Sequence, residues 1–283
     1  MNQKKTVIFG AGQTGRRLYH ILKKDRDIRF FVDNDQMKWH TEYENIPIFS
    51  PEQLKERNDY DEIVLATFVA GDDIENQLKC YEIPLWKLNQ SYVQNCHTAR
   101  LMFLKRFAEL AHSMNIPGAV AEAGVFRGDF AKEINREFQD RTCHLFDTFT
   151  GFDPRDFDAE NGLVATLTTQ SFHISSEELV LGKMPFPEMV QVHKGYFPET
   201  VTQKVLDDSF AFVNLDMDLY NPTLAGLRIF WPRLSANGVI LIHDYFPDAY
   251  PNIKKAVKDF EAEIGHTIPK IPIGDDISIA LIK

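Results

Sequence analysis

Two glycine-rich turns recur in this chain, each followed roughly 20 residues later by an aspartate that closes an apolar run, the arrangement with which α/β proteins hold nucleotide-type ligands. The first is Gly10-Ala11-Gly12-Gln13-Thr14-Gly15 with Asp33, and the second is Glu122-Ala123-Gly124-Val125-Phe126-Arg127-Gly128 with Asp147. Glycine lets the backbone turn sharply and approach a ligand closely, and a carboxylate is a natural two-point acceptor for a vicinal diol. The two turns need not take the same ligand.

A third group lies just past later apolar runs: Asp216 and Asp218 in Asp216-Met217-Asp218-Leu219-Tyr220, and then His243-Asp244-Tyr245. Ligands of open α/β sheets bind beyond the carboxyl ends of the strands, so Asp147, Asp216, Asp218, His243 and Asp244 are expected to converge on one rim. Any one of these acids taken alone is as readily a helix cap. Asp216 and Asp218 have the same parity along an extended chain, so both face one side unless a turn begins first. An isolated histidine is more often an ordinary hydrogen-bonded one than a ligand or base, and its neighbour Asp244 raises the case for His243.

The elements that must position these residues are legible from periodicity. In the first part, Thr6 to Phe9 reads as a strand, Arg16 to Lys24 as a helix carrying Leu18, Ile21 and Leu22, and Ile28 to Val32 as the next strand. Glu52 to Arg57 reads as a short helix and Ile63 to Ala66 as a third strand, with the unit closing near Leu88. Tyr92 to Met114 carries a helical stripe of Leu101, Phe103, Leu104, Phe107, Ala108 and Leu110 that opens a second domain. That domain alternates: strand Ala119 to Glu122, helix Phe130 to Phe138, strand Cys143 to Phe146, an acidic loop Asp153 to Asn161, and strand Phe210 to Leu215. Asn221-Pro222 is expected to cap and open a helix ended by Ser235-Ala236-Asn237-Gly238. Strand Val239 to Ile242, helix Asn252 to Ile264 and strand Ile277 to Ile282 complete the pattern. The expected fold is α/β with two Rossmann-like domains, residues 1–91 and 92–283.

Bulk properties exclude several classes. At 283 residues and 44% apolar the chain can bury one large core or two smaller ones, with two domains the better expectation, and its net charge of -10 with a pI near 5.4 repels a phosphate backbone, so no nucleic-acid partner is expected. No apolar run approaches 18 residues and none follows Met1 as a leader, which predicts a cytoplasmic protein with no membrane insertion. Cys80, Cys96 and Cys143 are odd in number and lack metal-type spacing, so buried free thiols are expected.

The second domain resembles the macrocin O-methyltransferase (TylF-like) group of class I S-adenosylmethionine-dependent methyltransferases, over roughly Ala99 to Lys283. Five blocks carry the resemblance in order: Val120 to Gly128, Leu145 to Phe152, Lys194-Gly195-Tyr196-Phe197-Pro198-Glu199-Thr200, Asp216 to Tyr220, and Gly238 to Tyr245. It implies a doubly wound, mostly parallel seven-stranded sheet that binds S-adenosylmethionine through Glu122, Gly124, Gly128, Asp147 and Thr148, and methylates a sugar hydroxyl of a glycan or small molecule. It further implies a divalent cation, magnesium or manganese, on Asp216, His243 and Asp244. Relatives place an Asp-Asp pair where this chain has His243-Asp244; a hard magnesium ion prefers oxygen, so the histidine weakens the metal or shifts it toward manganese. An alcohol must lose its proton to attack the sulfonium methyl, and the resemblance nominates Asp218 as base, with His243 its competitor in the absence of a metal. The loop Asp153 to Asn161 and the stretch Met184-Pro185-Phe186-Pro187 are candidates to close over substrate, with a merely solvated loop as the plainer expectation.

The first domain is similar to small Rossmann-like domains at the front of polysaccharide-modifying proteins, through Asp33-Asn34-Asp35 and Ile46 to Leu54. Gly10, Gly12, Gly15 and Asp33 would then hold a nucleotide-linked or carrier-linked sugar; the alternative is a scaffold or dimerisation unit that makes the protein a homo-oligomer. A rival from another class is an NAD-dependent sugar epimerase or dehydrogenase using a Tyr-x-x-x-Lys pair, for which Tyr19 with Lys23, read as a surface pair, and Tyr250 with Lys254 have the spacing. A nonenzymatic rival is a nucleotide-sugar binding module, against which the retained Asp216, Asp218 and Asp244 argue.

Overall fold

The point where strand order reverses decides where ligands sit, and this chain reverses it once in each of two compact units, residues 1–97 and 98–283. A computed structural model describes residues 3–67, 71–160, 172, 174–247 and 250–283. In the first unit β1 (Lys4–Phe9), α1 (Gln13–Leu22), β2 (Arg26–Val32), β3 (Glu42–Tyr43), β4 (Ile46–Phe49), α2 (Gln53–Glu56), β5 (Glu62–Leu65), α3 (Gly71–Cys80) and β6 (Leu88–Asn89) follow in order. The sheet runs β3-β4-β2-β1-β5-β6, parallel except for the β3/β4 pair. After β1 the chain builds outward through β2 and then returns to the other side of β1 as β5, so the crevice between β1 and β5 is a topological switch point.

Helix α4 (Ser91–Ser113) passes from one unit to the other. Val93, in its first turn, packs in the first unit's core, whereas Leu104, Phe107, Ala108 and Ala111 are buried in the second. Leu110, expected on the buried stripe, is 49% exposed. Ala111 takes that place because positions 104, 107, 108 and 111 share one face at helical spacing, while 110 has turned off it.

The second unit continues with β7 (Ala119–Ala123), α5 (Asp129–Glu137), β8 (Cys143–Asp147), α6 (Pro154–Phe157), α7 (Glu177–Leu181), β9 (Val190–Lys194) and α8 (Gln203–Asp207). Then come β10 (Phe210–Leu215), α9 (Tyr220–Arg233), β11 (Leu234–Ile242), α10 (Pro251–Ile264), β12 (Lys270–Pro272) and β13 (Ile279–Ile282). The seven strands lie β12-β13-β11-β10-β7-β8-β9, with only the β12 and β13 pairings antiparallel. The doubly wound, mostly parallel sheet is therefore as expected, with its switch point between β7 and β10. Alternate residues of β7 and β10 feed two apolar layers: Ala119, Ala121, Ala123, Val213 and Leu215 face α9 and α10, while Val120 and Phe212 face α4 and α5. Each fully buried Phe or Leu in these layers contributes roughly 1.5–3 kcal/mol.

Four local expectations fail for physical reasons. Asn221 does not cap α9; the helix starts at Tyr220, and the cap is a distant side chain, Glu160 Oε1, which accepts the Tyr220 N–H at 2.6 Å. The helix ends at Arg233, just after Pro232, and Ser235 to Gly238 lie inside β11 instead of closing the helix. The acidic loop is not merely solvated: Pro154, Arg155 and Asp158 are exposed, but Asp156 and Glu160 are 6% and 2% exposed, and Glu160 Oε2 accepts from Asn252 at 2.6 Å. Asn161, its far end, lies outside the described residues. Nor is Met184 to Pro187 merely solvated, since Met184 is buried and the Asn135 amide brackets Phe186 through both its N–H and its carbonyl at 2.8 and 3.0 Å. The cysteines form no disulfide with one another; Cys96 and Cys143 are buried and Cys80 is exposed. No helix among the described residues is long and apolar enough to cross a membrane.

Candidate active site

At the second switch point, β7 ends in Glu122 and Ala123, β10 delivers Asn214 and then Asp216, and β11 delivers His243 and Asp244. Glu122 and Asn214 are register partners and point to the same face, where Asn214 donates to Glu122 Oε1 at 2.7 Å. Arg100 reaches in from α4, its Nη2 donating to Asn214 Oδ1 at 3.1 Å and to Asp216 Oδ2 at 2.7 Å. On the other side of Asp216, Oδ1 lies 3.0 Å from His243 Nδ1, which is 2.6 Å from Asp244 Oδ2. Asp218 joins through a hydrogen bond with Asp244. One connected network thus runs from the glycine turn to the end of β11.

The β-strand parity of Asp216 and Asp218 does not explain their convergence. β10 ends at Leu215, and Asp218 sits in the left-handed region at φ 60°, as does Asp244 at φ 53°. Two aspartates held where L-residues rarely sit mark the strain typical of functional loops.

Electrostatics sort the acids. Burial and the nearby Asp216 charge push the Glu122 carboxyl up to about 8, and its Oε2 has no partner among the described residues. Burial opposes ionisation of Asp216 too, but His243 and Arg100 outweigh it and hold this carboxyl well below the usual range. Asp218 goes the opposite way, well above the usual range, through burial and the carboxylates of Asp244 and Asp216. Burial works against a charged His243 ring, yet Asp216 and Asp244 overcome it and push the imidazole up to about 10. Asp216, His243 and Asp244 offer ligand atoms all within 4.8 Å of one another, a set able to hold a metal ion.

Asp147 lies on the same sheet edge, at the end of the neighbouring strand, but among the described residues it is not bonded into the acid network. It ends β8, and its carboxylate clamps the glycine turn: Oδ2 accepts the Val125 and Phe126 N–H groups at 2.8 Å each, and Oδ1 accepts Phe149 N–H at 2.7 Å. Thr148 Oγ1 likewise serves its own turn, donating to Gly151 O and accepting from Thr150 N. Gly124, at φ 85°, is required by the neighbouring strand, because a Cβ there would lie 1.9 Å from Asp216 O. Gly128 opens α5 at φ 77°, against the Val180 side chain.

The first unit repeats the clamp. Asp33 Oδ2 accepts Ala11 N–H at 2.7 Å and pairs with Lys38 Nζ at 3.0 Å, while Oδ1 accepts Asp35 N–H at 2.8 Å. Gly10 turns at φ 110°, a Cβ on Gly15 would strike Gly10 O at 1.8 Å, and Gly12 faces open space. The Tyr-x-x-x-Lys spacings make no catalytic pair. Tyr19 is a core residue, not a surface one, with Lys23 Nζ 4.8 Å from its ring centroid, and Lys254 donates to Phe246 O.

Arg100, Asn214 and Glu160 were not singled out from sequence. Asn214 carried a signal as the lone polar residue in the run Phe210 to Leu215, two positions before Asp216. Arg100 carried none, since a basic residue on an amphipathic helix is ordinarily solvated.

Residues 90–278 match the family described as Macrocin-O-methyltransferase (TylF), and residues 2–88 match the C2185-like N-terminal family. Demethyldecarbamoylnovobiocin O-methyltransferase of Streptomyces niveus is 29% identical over 184 residues, 60% of this chain and 69% of its own length. The 8-demethyl-8-(2,3-dimethoxy-alpha-L-rhamnosyl)-tetracenomycin-C 4'-O-methyltransferase of Streptomyces olivaceus is 28% identical over 186 residues, 60% of this chain and 68% of its own. The solved structure of the O-methyltransferase NovP superposes with a TM-score of 0.55 at 26% identity, covering 65% of this chain and 79% of that one. With two thirds of its length in that match, this chain belongs to the macrocin O-methyltransferase family.

Proposed function

We propose that this protein transfers the methyl group of S-adenosylmethionine to a hydroxyl on a sugar, within glycan or secondary-metabolite assembly in the cytoplasm. The observation that carries the reading is the junction at the second switch point, where a buried, unpartnered carboxylate oxygen on the glycine turn adjoins the Asp216, Asp218, His243 and Asp244 network. A rhamnosyl-bearing acceptor in one relative's name agrees with a sugar substrate.

The residues present fit both absent groups. Glu122 Oε2 at the turn has no partner among the described residues, and a cationic part of the methyl donor there would favour the ionised carboxylate against the burial that raises it. Asp216, His243 and Asp244 form a mixed nitrogen and oxygen set, which suits manganese better than magnesium. S-adenosylmethionine supplies an electrophilic sulfonium methyl, and a divalent ion, when bound, lowers the cost of alkoxide character on the acceptor.

Asp218 is the proposed base. Its carboxyl, raised by burial and by Asp244 and Asp216, holds a proton more firmly than an ordinary aspartate does and is the stronger base once ionised. A hydrogen bond between two carboxyl groups needs one proton between them, and in this contact Asp218 is the group held protonated. His243 is the poorer candidate, because a ring held cationic between two carboxylates has no lone pair to offer. Its part is to orient Asp216 and Asp244, and it must release its Nδ1 proton before it can ligate an ion. The Asp147 clamp keeps the turn backbone in place for the cofactor. In the first unit the Gly10 to Gly15 turn holds a nucleotide-linked or carrier-linked sugar, its backbone accessible at Gly12.

The test is incubation of the full chain with S-adenosylmethionine carrying an isotopically labelled methyl and a panel of nucleotide sugars and glycosylated small molecules. Label in an O-methyl group of the sugar, located by NMR, supports the reading; label in no acceptor, or on nitrogen or carbon, overturns it.

A further inference from the structure

Arg100 has no place in the proton transfer assigned to Asp218, yet its guanidinium lies at the centre of the network. Its side chain is 13% exposed and stacks over Phe130, the guanidinium carbon 4.0 Å from the ring centroid. Nη2 bridges Asn214 Oδ1 and Asp216 Oδ2, while Nε is buried with no partner among the described residues. Burial with an unmet donor is costly, and a guanidinium cannot shed its proton to escape that cost. The permanent charge therefore sits against one oxygen of Asp216 while the other, Oδ1, faces His243 and Asp244.

We propose that Arg100 is a resident cation of the acid cluster, a positioning residue that fixes the Asp216 carboxylate and sets how tightly the Asp216, His243 and Asp244 set takes a divalent ion. This rests on the reading of that set as the methyl-transfer centre. Two physical effects act together. Anchoring Oδ2 leaves Oδ1 as the Asp216 oxygen turned toward the set, so that an ion gains one oxygen from this residue. Like charge one carboxylate away, in a desolvated site, repels an incoming dication. Arg100 thus supplies positive charge to the cluster at all times and keeps its affinity for metal low. Through Asn214 the same guanidinium is tied to Glu122, so cluster and glycine turn are held by one side chain.

The experiment is titration of Mn2+ into the full chain and into Arg100→Gln, Arg100→Met and Arg100→Lys, with free Mn2+ read by electron paramagnetic resonance. Glutamine can keep hydrogen bonds to Asn214 and Asp216 while removing the charge, and lysine keeps the charge while losing the fork. The expected result is Mn2+ binding at least about tenfold tighter in Arg100→Gln, with Arg100→Lys within about threefold of the unsubstituted chain. If Arg100→Gln fails to fold, as circular dichroism would show, Arg100→Met carries the same expectation. A purely structural Arg100 would lower the melting temperature without raising Mn2+ affinity; that outcome, or no Mn2+ binding by any of the proteins, overturns the proposal. The titration needs neither methyl donor nor acceptor, so failure of the methyltransferase reading would show separately, as absent methyl transfer.

Discussion

Replacing Asp147 by asparagine separates two roles that the same residue could play. If the carboxylate is chiefly a clamp on the glycine turn, the protein loses stability with no ligand present; if it serves only to bind ribose hydroxyls, the unliganded protein is unaffected. In the structure Oδ2 accepts two backbone N–H groups at 2.8 Å and Oδ1 accepts one at 2.7 Å. Asparagine can turn its carbonyl toward Val125 and Phe126 and keep those bonds as neutral ones, but its NH2 then meets the Phe149 N–H. A hydrogen bond to a charged group contributes about 1.5–3 kcal/mol and a neutral one about 0.5–1.5 kcal/mol, so the gross loss is roughly 4 kcal/mol. Water reaches the partly exposed turn and takes over part of this, leaving about 2 kcal/mol. For a unit of this size that lowers the melting temperature by about 4–8 °C. Differential scanning calorimetry of the unliganded protein measures it. An Asp147→Asn transition within about 1 °C of the parent's would refute the clamp.

Asp218→Asn should lower methyl transfer by about 10²–10⁴-fold, the usual contribution of a positioned base, while leaving S-adenosylhomocysteine affinity nearly unchanged in calorimetry. Unchanged turnover would remove Asp218 from the chemistry. Glu160→Gln puts an NH2 against one of its two donors and should cost about 2 kcal/mol, read as a lower urea midpoint; an unchanged midpoint would mean α9 needs no distant cap. Burial, with the charges of His144 and Lys204, depresses the His193 pKa to about 4. The unfolded chain, with its histidine near 6.5, binds more protons than the folded one between those values. That contribution to stability is fully present above about pH 6.5 and is lost as the pH falls toward 4, so His193→Gln should flatten the pH dependence of the melting temperature in this window; an identical slope would assign it to other groups.

Architecture was legible because both glycine turns follow apolar runs and open helices, and the apolar-rich runs Phe210 to Leu215 and Val239 to Ile242, which fall in β10 and β11, stop just before Asp216 and His243. The sequence also pointed correctly to Asp216, His243 and Asp244 as neighbours, since each follows a strand and parallel strands bring their carboxyl ends to one edge. What it could not give is partnership across long separations. Spacing marked Asp147 and Asp33 as acceptors for a ligand, but it could not show that their carboxylates also take backbone N–H groups of turns 22 positions earlier. The α9 cap was sought in Asn221 because caps are normally local, whereas Glu160 supplies it from 60 positions away. Arg100 reaches Asp216 across 116 positions, and nothing near it in the sequence marks it as buried.

The most direct test of S-adenosylmethionine dependence is calorimetric titration of the full-length protein with S-adenosylhomocysteine. One-site saturable binding, weakened by Asp147→Ala, is the expected result. No heat of binding up to the solubility limit of the ligand, with the protein folded by circular dichroism, would contradict it.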